Sequence, residues 1–121
     1  MAREQKIPGP DHPITVTPST NHIVVRAGNR VVADTTRSLT LQESTYPAAH
    51  YIPLEDVDQT AIKRTDTSTY CPYKGDASYY TITGDQDLTD AIWTYEQPYP
   101  SVKEIAGHVA FYPNKVTITV E

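Results

Sequence analysis

The chain predicts an all-β fold with minor α content: a single compact antiparallel β sandwich or barrel-like domain built from hairpins, with one or two short helical turns. Three observations carry this reading. From Ile14 onward, short β-branched runs alternate with turn residues at the spacing of antiparallel strands. Gly28 and Asn29 join two such runs in HIVVRAGNRVVADTT, and both residue types tolerate the positive φ of a tight hairpin turn. The apolar segments in between are too short, or too interrupted by proline, to make a convincing helix.

Taken in order, residues 1–13 carry Pro8, Pro10 and Pro13 around Gly9, and read as an extended N-terminal arm outside the core. Residues 14–121 then form one β domain. LTLQES, YPAAHYIP and AIKRT are assigned to strands or sheet edges. Two helical turns are expected: LEDVDQ after Pro53, and SVKEIAG, where Ser101 and Glu104 have the spacing of a capping box and Gly107 supplies the stop. In DLTDAIWTYEQ the residues Leu88, Ala91, Ile92 and Tyr95 also fit a helical face. Its second half is assigned to a strand, because Ile92, Trp93, Thr94 and Tyr95 all favour a pleated surface. FYPNKVTITV predicts a second hairpin near the C-terminus, with Val116, Ile118 and Val120 alternating with threonines.

A chain of 121 residues buries roughly two thirds of its unfolded surface, enough for one core without staples. Nine tyrosines against one phenylalanine mean that much of this core carries hydroxyls, each needing a partner or a route to water. The net charge of -5 argues against nucleic acid as the main ligand. The stretch from Glu55 to Glu96 is the most acidic, facing only Lys63, Arg64 and Lys74, and suits a cation or a neutral ligand better than a polyanion. One cysteine excludes an internal disulfide, and MAREQKIPGPDHP contains no apolar run of a signal peptide or membrane span, so a cytoplasmic address without membrane association is expected.

TYCPYKGDASYY, residues 69–80, concentrates four tyrosines, the cysteine and a lysine, and IWTYEQPYP adds a second aromatic cluster. Together with YIPLEDV and IAGHVAFYPNKVTITV, in that order along the chain, these segments resemble the bacterial domain-of-unknown-function family 427 from about Ile14 to Glu121. Tyr51, Pro53, Asp56, Val57, Cys71, Lys74, Gly75, Tyr79, Trp93, Tyr95, Pro98 and Phe111 match the family's pattern. The resemblance implies a compact all-β domain of bacterial origin without an assigned biochemical role. Labels attached to similar proteins suggest nucleotidyl transfer.

The residues themselves offer several chemistries. An ammonium at Lys74 near Cys71 would stabilise a thiolate, while the alternative for Cys71 is a small residue ending a strand. Gly75 lets the backbone approach a ligand and Lys74 can neutralise an anion, but no phosphate-cradling glycine frame surrounds them; the alternative is a hairpin corner with an exposed lysine. Tyr51, Tyr79, Trp93 and Tyr95 form either an aromatic box for stacking and cation-π contacts or ordinary core. The pairs Asp56/Asp58 and Asp85/Asp87 have the separation used by two-metal nucleotidyl transfer, in contexts where the carboxylates do not converge. His12, His22, His50 and His108 lack metal-ligand spacing, so neither a metal nor a cofactor is expected.

The leading expectation is a domain that binds a small ligand or peptide at a concave aromatic site made of Tyr51, Asp56, Lys74, Gly75, Tyr79, Trp93 and Tyr95. The alternatives are a small enzyme using Cys71 or Lys74 as nucleophile with Tyr79 or Asp56 moving a proton, and a homodimeric interaction module whose tyrosines form an interface.

Overall fold

The computed structural model describes residues 3–121. Its strands are β1 (Ile14–Pro18), β2 (Ile23–Ala27), β3 (Arg30–Thr35), β4 (Leu39–Glu43), β5 (Ala49–Pro53), β6 (Ile62–Cys71), β7 (Gly75–Ile82), β8 (Leu88–Thr94), β9 (His108–Phe111) and β10 (Thr117–Val120). All pairing between these strands is antiparallel, in a seven-stranded sheet of order β1-β4-β5-β9-β8-β7-β6 and a three-stranded sheet of order β10-β2-β3. Short 3-10 turns at Leu54–Asp56, Gln59–Ala61 and Pro100–Ile105 complete the described elements.

Ile23, Val25 and Val32 of the small sheet pack against Ile52, Ile82, Ile92, Val109 and Phe111 of the large one, which makes a two-layer sandwich. The opposite face of the large sheet is also covered. There Leu41, Tyr51, Ala77, Tyr79 and Ala110 meet Val102 and Ile105 of the last 3-10 turn. Burial on both faces accounts for the near-continuous apolar runs of β5 and β9, where simple alternation is lost.

The hairpin expected at Gly28 forms, with Gly28 at φ 62 between β2 and β3. The C-terminal hairpin does not. β10 pairs with β2, from Thr117↔Arg26 to Val120↔Ile23, and the turn after Phe111 carries the chain from one sheet to the other. Two backbone bonds between His22 and Glu121 (2.8 and 3.3 Å) extend this ladder, and Ile118 packs onto the shared core. The local turn signal was sound, but the pairing partner is chosen by burial of Ile118 between the layers.

The capping box is also absent. Pro100 takes the first helical position, Tyr99 is the N-cap, and Ser101 falls inside the turn, where its hydroxyl caps nothing. Val102 then leaves helical geometry (φ -130°, ψ 29°), so the segment is a kinked 3-10 turn that Gly107 ends at φ 75. LEDVDQ forms its turn only over Leu54–Asp56, and DLTDAIWTYEQ is a strand over Leu88–Thr94.

Residues of the N-terminal arm run along the β6–β7 turn: the Lys6 amide donates to the Pro72 carbonyl (2.9 Å), and the Arg3 guanidinium lies 4.7 Å from the Tyr70 ring centroid and pairs with Asp76. On the other side of that turn, Gly75 adopts φ 109, and a side chain there would meet the Gln97 carbonyl at 3.5 Å. Gly75→Ala is therefore expected to lower stability by about 1–3 kcal/mol, since φ near this value is strained for any L side chain. Urea unfolding checks this through a reduced midpoint at unchanged slope.

Candidate functional site

The large sheet is discontinuous at its centre. β5 and β9 pair only through Ile52↔Val109 and Pro53↔His108. From Ala49 to Tyr51, β5 is paired with β4 alone, while at Ala110 and Phe111, β9 is paired with β8 alone. A cavity of about 610 Å³ opens there and draws its lining from both faces of the sheet. Tyr51, Tyr79, Trp93 and Tyr95 come from the face that Val102 and Ile105 cover; Ile52, Phe111 and Ile118 come from the face between the layers. The exposed Tyr46 and Val120 stand among the lining residues.

Cross-strand register sets the aromatic wall. Trp93 on β8 lies directly between Tyr79 on β7 and Ala110 on β9, so the small alanine leaves the indole uncrowded on that side. The Trp93 Nε1–H donates to the Tyr51 hydroxyl (2.9 Å), with the rings edge to face at 6.2 Å, and Tyr112 lies tilted against the indole at 4.5 Å. Tyr79 shares a hydrogen bond with Thr69 (2.8 Å). Burial pushes the Tyr51 and Tyr95 hydroxyls well above the ordinary tyrosine range, and pushes Tyr112, with the neighbouring Tyr79 hydroxyl as the next cause, to about 12. All three are neutral donors at physiological pH.

A buried ion pair forms one end of the cavity. Lys74, only 9% exposed, turns inward from the β6–β7 corner, pairs with Glu43 on β4 and lies 5.8 Å from the Tyr95 ring centroid. The second Glu43 oxygen bonds His12 Nε2 at 2.7 Å, and His12 stacks on Tyr73 at 4.2 Å. Desolvation pushes the Glu43 carboxyl up, but the hydrogen bonds and charges of Lys74 and His12 outweigh it, and the net shift is downward. His50 Nδ1 has no hydrogen-bond partner among the described residues, and burial lowers the His50 pKa, so the ring is neutral.

Of the residues singled out in the sequence, Tyr51, Lys74, Tyr79, Trp93 and Tyr95 line this one cavity. Asp56 does not: it accepts from Thr35 (2.7 Å) and Arg37 (3.0 Å) beside the Leu54–Asp56 turn. Gly75 shapes the β6–β7 corner, where its backbone lies against residues 97–99, outside the lining of this cavity. Cys71 is half-buried at the end of β6, opposite Gly75, and outside the cavity lining. Glu43, His50 and Tyr112 were not placed at the site by the sequence reading. The signal for Glu43 was present, because Leu39, Leu41 and Glu43 alternate on one strand and a carboxylate at an inward position demands a partner.

These features define an all-β sandwich with an aromatic-lined cavity at a break in its larger sheet. Residues 15–121 match the model of the family described as a domain of unknown function (DUF427), and the chain belongs to that family. No curated protein matches it. The acid pairs do not converge as two-metal nucleotidyl transfer requires: Asp58 caps the Thr60 amide (3.0 Å) while Asp56 holds Arg37, and Asp87 accepts from the Gly84 amide (3.2 Å). Among the described residues, no three His, Cys, Asp or Glu side chains sit close enough to hold a metal ion.

The lowered Glu43 pKa gives a signed pH dependence. Its contribution to stability is fully present above the unfolded value near 4.5 and is lost as pH falls through the lower folded value. Glu43→Gln is expected to be less stable than the parent at neutral pH, with the gap narrowing below pH 4.5. Thermal unfolding of both proteins between pH 3 and 7 measures that gap; a constant gap would assign its cause to packing alone.

Proposed function

We propose that the domain binds a small molecule in the cavity between β5 and β9, with no covalent chemistry of its own. The carrying observation is the break in the sheet, which leaves about 610 Å³ walled by Tyr51, Tyr79, Trp93 and Tyr95 beside a buried Lys74–Glu43 pair. Ligand sites of small-molecule binders have this size and composition: apolar and aromatic walls with a few convergent polar groups. Catalysis through Cys71 or Lys74 has less support, because the Lys74 ammonium is directed at Glu43 and Asp56 lies elsewhere. The free thiol suits a reducing compartment, and we place the domain in the cytoplasm.

One observation favours a second occupant, an extended peptide. Ala49–Tyr51 of β5 lacks a strand partner on the side of the break, and an added strand could use those backbone groups. Such a peptide would protect from hydrogen exchange those amides of residues 49–51 that point away from β4, whereas a small molecule would leave them unchanged.

Trp93 is the single tryptophan, so its fluorescence reports this cavity and nothing else. A screen of small metabolites should yield ligands that shift Trp93 emission and that add about 2.7 kcal/mol of stability at 100 times the dissociation constant. Trp93→Phe, which keeps a ring but loses the bond to Tyr51, is expected to weaken such ligands by about tenfold, the worth of a good aromatic contact. Stabilisation without any Trp93 response would place the site elsewhere.

A further inference from the structure

We propose that the cavity selects an uncharged, planar ligand that presents a hydrogen-bond acceptor, a carbonyl group, to Lys74, Tyr95 and Tyr51. This rests on the cavity being a ligand site. Four observations carry the selectivity, and the first is that the cation position over one ring of the aromatic wall, Tyr95, is already taken. Lys74 places its own ammonium 5.8 Å from the Tyr95 centroid.

Unpartnered donors are the second. An ammonium has three N–H groups, and among the described residues only Glu43 receives one from Lys74. The Tyr95 hydroxyl has no protein partner among the described residues, and the Tyr51 oxygen accepts from Trp93 while its own proton has no protein acceptor. Both hydroxyls stay protonated because burial opposes their ionisation.

Third, both oxygens of the one carboxylate lining the cavity are already engaged. One Glu43 oxygen binds Lys74 and the other binds His12, so the carboxylate's charge is already met by protein groups and its pull on a ligand's ammonium is weakened. Fourth, that same carboxylate neutralises Lys74, so a ligand anion would enter a site with no net attraction for it and would lose its hydration. A neutral carbonyl, whose oxygen accepts up to two hydrogen bonds, finds unpartnered donors among Lys74, Tyr95 and Tyr51 at far lower desolvation cost. Its flat apolar body then lies against Trp93 and Phe111.

Four ring-matched probes decide this: benzamide, benzoate, benzylammonium and toluene, each titrated against the whole protein while Trp93 emission is followed. Benzamide is expected to bind about tenfold tighter than each of the other three, a margin of roughly one well-made hydrogen bond. Tyr95→Phe keeps the ring and removes one donor; it is expected to erase most of that margin and to leave toluene unchanged. Lys74→Met should do the same but strands Glu43, so Tyr95→Phe carries the decision.

If benzylammonium or benzoate binds as tightly as benzamide, or if Tyr95→Phe leaves benzamide unaffected, the selectivity is overturned while the cavity remains a ligand site. If none of the four probes perturbs Trp93, in the parent or the variant, both the selectivity and the reading of the cavity as a ligand site fall.

Discussion

The interrupted pairing between β5 and β9 is the constraint on which the rest of this molecule turns. A continuous seven-stranded sheet would have sealed Tyr51, Trp93 and Tyr95 into a closed core. Two residue pairs hold the strands together at Ile52 and Pro53, and past them no ladder joins β5 to β9. Backbone groups at a sheet edge are costly to bury without partners, so a break inside a sheet has to be supported by its surroundings. Here the support comes from both flanks. The Glu43–Lys74–His12 cluster ties β4 to the β6–β7 corner and to the N-terminal arm, while β10 holds Ile118 and Val120 against the other side.

This arrangement resolves the excess of tyrosine over phenylalanine. Buried hydroxyls need partners, and those of Tyr51 and Tyr79 find them in Trp93 and Thr69. Tyr95 lines the cavity and makes no hydrogen bond to the described residues. Tyrosine thus serves as core and as cavity wall in the same side chain, which is why packing and binding could not be separated from residue type alone. Pairing Lys74 with Glu43 follows the same logic, since a lone ammonium at 9% exposure would carry a heavy desolvation cost.

Much of the architecture was legible. β-branched alternation and the Gly28 turn located the strands, and the aromatic clusters converged on one cavity as the sequence suggested. Most of the errors share a physical origin in distance along the chain. FYPNKVTITV carried a genuine turn, yet its last strand pairs with β2 more than ninety positions earlier, a choice made by core burial that no local pattern encodes. Ser101 and Glu104 had the right spacing for a capping box, but the turn starts at Pro100, two residues earlier than a Ser101 cap would set it. Asp56 was grouped with the aromatic site through its place in a shared motif, whereas its carboxylate is held by Thr35 and Arg37. Glu43 was overlooked because its partners, His12 and Lys74, each lie 31 positions away in opposite directions.

The most direct test of the central claim, that the break between β5 and β9 is an open binding site, is a crystallographic soak with a panel of small aromatic fragments. The account predicts fragment density between residues 49–51 and 110–112, in contact with Trp93, with the two strands still apart in the unsoaked crystal. Crystals in which β5 and β9 pair throughout and the cavity is closed, with fragments bound only elsewhere, would contradict it.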